Sequence, residues 1–469
     1  MKNKKAQYIT TTLPYVNADP HIGFAMEIIQ ADVIARWKEL QGYEVFFNTG
    51  TDEHGQKVFK AAQKEGKEVQ AYVDEYAEKF KSLKDKLGLH PNLHFIRTTS
   101  DKHIKAAQEM WKRCFAKGDI YKKKYRGLYC EGDEVFIKET DLVDGKCPNH
   151  PNLELQEIEE ENYFFKITNY KEYLEKYIDE SSVIPERRIE EAKSFVTNLE
   201  DISISRERSR LGWGVAVPDD DSQVMYVWFD ALTSYISTLG WPEEKGDFNK
   251  FWNEGETLQL AGKDQVRFQS IIWQAMLKSA GVKATDKVFY HGFITSGNQK
   301  MSKSLGNVIN PDELVKKYGT EATRYLLLRH THPFEDTDIT WERLDEWYEA
   351  DLVNGLGNFV ARVMKLAESY LQEPVVVIYE EVLIDEKMRE FDFKEALGLI
   401  FGTIGALDLE IQNKKPWETK DKEVISHLVR HLTQVTNALK PFMPETSEKI
   451  LKAIKENKKP ENLFPRLNA

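Results

Sequence analysis

"QYITTTLPYVNADPHIGFAMEIIQADVIARWKELQGYEVFFNTGTDEHG", residues 7–55, decides how this chain folds. Its first segment, QYITTTL, is short and rich in β-branched residues, and the LPYVNADP that follows is full of turn formers. Apolar residues then recur at Ile22, Met26, Ile29, Val33, Trp37 and Leu40, a spacing of three and four that predicts a helix ending at Gly42. YEVFFNTGTDEHG reads as a buried strand with a glycine-containing exit. Strand, helix and strand in this order make a unit of a parallel sheet. Ligands of such sheets sit beyond the carboxyl ends of the strands, so LPYVNADPHIG and TGTDEHG are both expected at the ligand edge.

The chain has 469 residues, more than one ordinary core needs, and two or three domains are expected. No stretch of about 18 apolar residues occurs, and the opening MKNKKAQYITTTLPY has no apolar run of the signal-peptide kind. Both observations point to the cytosol and away from the membrane. The three cysteines, Cys114, Cys130 and Cys147, are an odd count and too few to staple the chain, as in a reducing compartment. The formal net charge of −12 is opposite to that of a generic nucleic-acid coat protein. One locally basic run, KKKYR at 122–126, taken alone reads as a solvated charged face.

A second strand and helix block returns at TLQLAGKDQVRFQSIIWQAMLKSAG and KVFYHGFIT, within 257–295. This suggests one nucleotide-binding domain split by an insertion: a first half at 1–115, an insertion at 116–225, and a second half at 226–340. The insertion carries knuckle-like signals between Cys130 and His150 and a proline-bounded acidic loop at PDDDSQ. From NPDELVKKYG the pattern is helical almost to the end, with Asn310 as N-cap, Pro311 in the first turn and Glu313 three residues after the cap. Residues 341–469 read as an all-helical domain.

Four groups of residues carry chemistry. The helix start after LPYVNADP offers backbone N–H groups to an anion, with Gly23 allowing close approach and His21 able to donate to a phosphate oxygen. KMSKSLGN at 300–307 places Lys300 and Lys303 in a glycine- and serine-containing loop able to clamp a triphosphate. Cys130, Asp133, Cys147 and His150 form C-x2-D and C-x2-H. That pattern fits a zinc knuckle with one oxygen ligand, or a knuckle held by packing alone. Asn354, Asn358 and Arg362 are spaced i, i+4, i+8 on one helical face.

The first two motifs together resemble those of class I aminoacyl-tRNA synthetases, a H-I-G-H turn and a K-M-S-K-S loop, with Phe24 standing where the second histidine usually is. TTLPYVNADPHIG, NTGTDEHG, YVWFDALTSY and KMSKSLGN, in that order, look like the methionyl-tRNA synthetase family in particular. The resemblance runs through nearly the whole chain. It implies a Rossmann-like parallel-sheet catalytic domain, an inserted connective domain and a helical anticodon-binding domain. It also implies two reaction steps: methionine and ATP give methionyl-adenylate and pyrophosphate, and the aminoacyl group then moves to the 3' end of a tRNA with a CAU anticodon.

Carried over residue by residue, the resemblance assigns His21, Lys300 and Lys303 to stabilising the phosphate and the departing pyrophosphate. Gly23, Phe24, Gly262, Asp264 and Gly292 fall at the ATP, which would come with Mg²⁺. Leu13, Tyr15, Trp228, Ala231 and Tyr235 would line the methionine pocket, and Asp52 would pair with the substrate ammonium. A thioether is polarizable and sits well against aromatic rings. Gln265 and Gln269 stand at that pocket where the family usually carries isoleucine and histidine, which puts side-chain selectivity in question; Gln269 can still donate a hydrogen bond without titrating. Asn354, Asn358, Arg362, Pro416 and Trp417 would read the anticodon, by amide and guanidinium contacts and by stacking. Nothing after the helical region resembles an appended module, so a monomer is expected. Two competing readings remain: a non-catalytic paralogue that binds the same ligands, and a related synthetase for leucine, isoleucine or valine.

Overall fold

The computed structural model describes residues 5–131, 135–137, 139–148, 150–297, 299–301, 307–376 and 384–467. Backbone proximity divides the chain into two compact units. One comprises Met1–Asp19, Gly42–Ser82 and Pro91–Tyr290, and the other Pro20–Gln41, Leu83–His90 and His291–Ala469. This division cuts across the segments suggested by the sequence, because the helix of the opening unit groups with the C-terminal part.

The first unit is built on a six-stranded sheet in the order His94–Arg97, Glu44–Thr51, Ala6–Thr10, Glu256–Gly262, Lys287–His291, Val183–Ile184. Ala6–Thr10 runs parallel to both neighbours, with Thr10 opposite Asn48 on one side and Gln259 on the other. Glu44–Thr51 and His94–Arg97 are also parallel, as are Lys287–His291 and Val183–Ile184. The chain starts in the middle, steps outward through two strands, and later returns on the other side of its first strand. That reversal falls between Ala6–Thr10 and Glu256–Gly262, and Rossmann-like sheets hold ligands beyond the carboxyl ends of the strands at such a reversal. Tyr8 anchors this centre: its ring lies 5.8 Å from that of Trp252, and its hydroxyl donates to the Tyr235 carbonyl at 2.7 Å.

The insertion supplies an antiparallel sheet in which Ile120–Cys130 pairs with Gln156–Phe165 over a register running from Ile120 opposite Phe165 to Tyr129 opposite Gln156. The basic run lies in the first of these strands. Lys124 faces Glu161 and Arg126 faces Glu159, while Lys122 makes ion pairs with Asp220 and Glu161 and Arg126 with Glu157. Its charge is therefore matched across the sheet by the EEE run. The acidic stretch at PDDDSQ forms a tight turn, with Asp219 at φ 63°, leading into the strand Asp220–Met225. Val183–Ile184, from this same stretch of sequence, joins the edge of the parallel sheet.

In the second unit, Ile22–Leu40 is a helix buried along most of its length, and the chain turns away from it through Gly42 at φ 86°. Asp32 on this helix accepts from Arg36, from the backbone N–H of His90 and from Arg324. The Arg324 guanidinium is wholly buried and donates further to the carbonyls of Leu87, Pro441 and Phe442. A buried charge is tolerable only when paired and hydrogen-bonded this fully. The helix Pro311–Tyr318 starts at Asn310, whose side chain accepts from Asp312 N–H at 2.8 Å, as the sequence predicts. Long helices follow at Asn358–Tyr370, Phe393–Lys414, Lys422–Leu439 and Pro444–Glu456. Among the described residues no helix is long and apolar enough to cross a membrane.

Candidate active site

His21 is the N-cap of Ile22–Leu40. Its Nδ1 accepts from the backbone N–H groups of Gly23, at 3.1 Å, and Phe24, at 3.4 Å. An accepting Nδ1 carries no proton, so the neutral ring holds its hydrogen on Nε2 and is a donor from that atom. A Cβ at position 23 would lie 3.0 Å from the imidazole and would press on the capping ring. Phe24 is only 7% exposed, so its ring packs into the helix's buried side.

The N–H of Ile22 donates to the carbonyl of Ile309 at 3.3 Å. Ile309 closes the stretch that carries KMSKSLGN, and Asn307 before it donates to the Ser296 carbonyl at 3.2 Å. The C-terminal flank of that loop is thus docked on the first turn of the His21 helix. Lys303 lies outside the described residues; Lys300 is placed by its backbone, which pairs with Thr295 in a short antiparallel ladder. Gly292 has a packing reason of its own, since a Cβ there would lie 2.1 Å from the carbonyl oxygen of Glu335. Beside it His291 Nε2 is 2.7 Å from Glu27 Oε2, a buried pair on which the sequence reading is silent.

In the first unit, the turn after Ala6–Thr10 is fastened to the loop after Glu44–Thr51. Asp52 N–H donates to the Pro14 carbonyl at 3.0 Å and Val16 N–H to the Asp52 carbonyl at 3.3 Å, so Tyr15 and Asp52 pair as isolated parallel neighbours. Asp52 is buried. Tyr15 meets Trp228 edge-on at 6.2 Å, and Trp228 stacks on Phe268 at 3.8 Å, making an aromatic wall. Ala231 and Tyr235 are buried on the same stretch, and Leu13 is half-buried.

Gln269 lies in the core and donates to the Tyr235 hydroxyl at 2.7 Å. Its own side-chain oxygen accepts from Gln259 at 3.1 Å, and its carbonyl from Gln274 at 2.8 Å. Those contacts fix which way the amide points, and fix it as a donor to Tyr235. Gly262 ends the strand Glu256–Gly262; Asp264 is exposed on the turn that follows, at the reversal in strand order. Beside it the side-chain oxygen of Gln265 is buried with no hydrogen-bond partner among the described residues.

Glu53, next to Asp52, is fully buried and accepts a bidentate pair from Arg97, at 2.7 and 2.9 Å, together with the hydroxyls of Thr51 and Thr99. On the opposite face His54 Nδ1 is 2.6 Å from Asp230, which lies equally close to His103 Nε2. Burial works against ionisation of Asp230, but the charge of His54 and hydrogen bonds from both histidines outweigh it and hold its carboxyl down at about 2. Both residues lie inside quoted motifs, DEHG and WFDA, yet nothing local announces their pairing.

In the insertion the sulfurs of Cys130 and Cys147 lie 3.8 and 3.9 Å from His150 Nδ1, and the donor atoms fall within 4.8 Å of one another. Donors sharing one tetrahedral zinc stand about 3.5 to 3.8 Å apart, given bonds of about 2.3 Å to sulfur and about 2.0 Å to nitrogen, so these three are slightly more widely spaced than zinc-bound donors and are of the chemical type that zinc takes. Asp133 lies outside the described residues. All three cysteines are buried, and burial pushes the Cys114 thiol up to about 12.

In the helical part, Asn354 and Asn358 are exposed and Arg362 is half-buried. Asn354 sits in the wider helical stretch Tyr348–Gly357, the others in the regular helix that continues from it. Arg362 pairs with Asp408, and Asn354 accepts from Arg466 at 3.0 Å. Lys415 at φ 42° turns the chain so that Pro416 is buried and Trp417 projects, 42% exposed. The hydroxyl of Tyr370, at the end of the helix bearing Asn358 and Arg362, donates to the Trp417 carbonyl at 3.4 Å.

The family described as "tRNA synthetases class I (M)" matches residues 7–159 and 151–364. A methionine–tRNA ligase of Thermotoga maritima is 40% identical, the match covering 97% of this chain and 76% of that protein. One from Fusobacterium nucleatum is 38% identical, over 95% and 74% respectively. The chain belongs to the methionyl-tRNA synthetase family. Among solved structures, a Mycobacterium tuberculosis methionyl-tRNA synthetase bound by methionyl-adenylate superposes with a TM-score of 0.88 at 32% identity, covering 98% of this chain and 99% of that one. A second structure of the same enzyme with methionyl-adenylate gives 0.87 at 34% identity, covering 95% and 93%. As a family member the chain has the parallel-sheet core and helical C-terminal part that the four motifs imply.

Proposed function

We propose that this chain activates methionine with ATP and transfers it to the 3' end of a tRNA bearing a CAU anticodon. What supports the reading most is its likeness, over 98% of its length, to a synthetase holding methionyl-adenylate. In the first step the methionine carboxylate attacks the α-phosphate; a carboxylate oxygen–phosphorus bond forms, and the bond to pyrophosphate breaks. In the second a terminal ribose hydroxyl attacks the acyl carbon and AMP departs. The protein contributes positioning and charge stabilisation and no covalent residue.

Asp52 pairs with the substrate ammonium. Tyr15, Trp228, Ala231, Tyr235 and Leu13 enclose the thioether, with Gln265 and Gln269 at the pocket's polar side. His21 donates from Nε2 to a phosphate oxygen, and Lys300 and Lys303 close on the pyrophosphate as it leaves. Gly23, Phe24, Gly262, Asp264 and Gly292 shape the nucleotide side; Mg²⁺ accompanies ATP and neutralises phosphate charge. Residues 1–115 and 226–340 do this chemistry, and 116–225 carry the knuckle. There Cys130, Cys147 and His150, with Asp133, would hold zinc and tie the end of a strand to the following loop. Residues 341–469 read the anticodon through Asn354, Asn358, Arg362, Pro416 and Trp417. The chain acts in the cytoplasm as a monomer.

The test is charging of a CAU-anticodon tRNA by the purified full-length chain with methionine, ATP and magnesium. Charging that depends on each component is expected. No charging by folded protein, or charging that ignores a changed anticodon, would refute the reading. Elemental analysis should find one zinc per chain.

A further inference from the structure

Three elements of the first unit meet at one carboxylate, and a fourth joins them through a histidine. Asp230, in the helix Val227–Ala231, is fully buried, and each of its oxygens is 2.6 Å from a different imidazole. One belongs to His54, two residues beyond Asp52; the other belongs to His103, in the helix Asp101–Ala116. His103 Nδ1 in turn lies 3.0 Å from the hydroxyl of Ser237, in the helix Ser234–Ser237. Three of these four elements carry residues assigned above to the methionine pocket: Asp52 on the loop, Trp228 and Ala231 on the Asp230 helix, and Tyr235 beside Ser237.

We infer that His54, Asp230 and His103 are positioning residues that set the distance between the ammonium-binding Asp52 and the aromatic wall of the amino-acid pocket. The inference rests on the proposed function and specifies how its amino-acid site is held. Along the loop, the His54 N–H donates to the Asp52 carboxylate at 3.5 Å, a turn contact that couples these two residues. Glu53 is locked by Arg97, Thr51 and Thr99, and its carbonyl accepts from Trp213 Nε1 at 2.7 Å. That lock holds the loop to its own edge of the sheet, and among the described residues none of its hydrogen bonds reaches the helix bearing Trp228. On the His54 side the loop is tied to that helix by Asp230, in addition to the Tyr15–Trp228 ring contact. With both carboxylate oxygens occupied by imidazole N–H groups, the carboxylate can neither rotate nor slide without leaving a buried donor unmet, so the loop and helix stay in register. An error of about 1 Å in such a site is enough to cost rate.

ATP–pyrophosphate exchange on full-length protein separates this role from a merely structural one, with methionine and ATP titrated in turn and thermal melting recorded for each variant. His54→Leu removes the donor; methionine KM is expected to rise about tenfold or more while ATP KM stays within about threefold. His54→Asn puts an amide nitrogen where Nδ1 stood, and should keep methionine KM within about threefold of the wild type. A folded His54→Leu with unchanged methionine KM, equal losses in His54→Leu and His54→Asn, or a parallel rise in both KM values would overturn the inference. Should His54→Leu not fold, the near-isosteric Asp230→Asn is read by the same criterion, and calorimetric methionine binding to His54→Asn replaces it if neither folds. Absence of methionine-dependent exchange in the wild type would instead refute the functional reading.

Discussion

The proposed amino-acid pocket and the proposed anticodon face solve opposite problems with similar residues. In the pocket, Gln269 is held by Tyr235, Gln259 and Gln274, and Asp230 by two histidines, all away from water. On the helical face, Asn354 and Arg362 each have a side-chain partner, Arg466 and Asp408, at a solvated surface, and Trp417 stands out from it. A small substrate gains from groups already oriented, because little ordering is left to be done on binding. An unpaired base arrives with its own donors and acceptors, and the surface side chains must exchange partners to meet it. The pocket should therefore be sensitive to single atoms, and the face to loss of whole side chains.

Four substitutions sharpen that contrast. Asp52→Asn removes the charge proposed to face the substrate ammonium, and loss of such a buried charged partner costs about 2–5 kcal/mol, so kcat/KM for methionine should fall by roughly 30-fold to 5,000-fold in pyrophosphate exchange. A fall below tenfold would take Asp52 out of ammonium recognition. The next largest effect concerns stability. Since the Asp230 carboxyl is held down at about 2 in the folded chain, its ionised form stabilises the fold above about pH 4, and this is lost as pH falls toward 2. The contribution is of the order of 2–3 kcal/mol. Asp230→Asn should lower the urea midpoint at pH 7 and flatten its decline between pH 4 and pH 3; an unchanged acid profile would contradict the pairing.

Trp417→Ala should reduce tRNA charging about 5- to 150-fold, because stacking on one base contributes about 1–3 kcal/mol. Adenylate formation should stay as in the wild type, and a matching loss there would remove Trp417 from anticodon reading. The smallest effect is expected for Asp408→Ala, which frees Arg362 from a partly exposed ion pair of about 0.2–1 kcal/mol and should leave the KM for tRNA within about threefold. A larger loss would show that the pair pre-orients Arg362 for the base.

The opening strand, helix and strand are legible in residues 7–55 because their signals are local: a β-branched run, a helical spacing and a glycine exit. The N-cap at Asn310 is legible for the same reason. Val183–Ile184 is not, since two residues carry no periodicity and their pairing with Val288 and Phe289 is decided by the finished sheet. The basic run KKKYR reveals its charge but not its cancellation, which depends on strand register with the EEE segment. Within the candidate site, residue types at His21, Asp52 and Trp228 could be read from motifs. The tie from His54 to Asp230 joins positions 176 residues apart, and no spacing rule connects them. Phe24 sits in a motif position but faces the interior, and its burial follows from which side of the helix packs inward.

The most direct measurement is ATP–pyrophosphate exchange by the purified chain with each of the twenty amino acids supplied singly. Exchange that responds to methionine, with leucine, isoleucine and valine at least about a hundredfold less effective in kcat/KM, is the predicted result. Exchange driven by another amino acid, or none with methionine in a folded protein, would contradict the account.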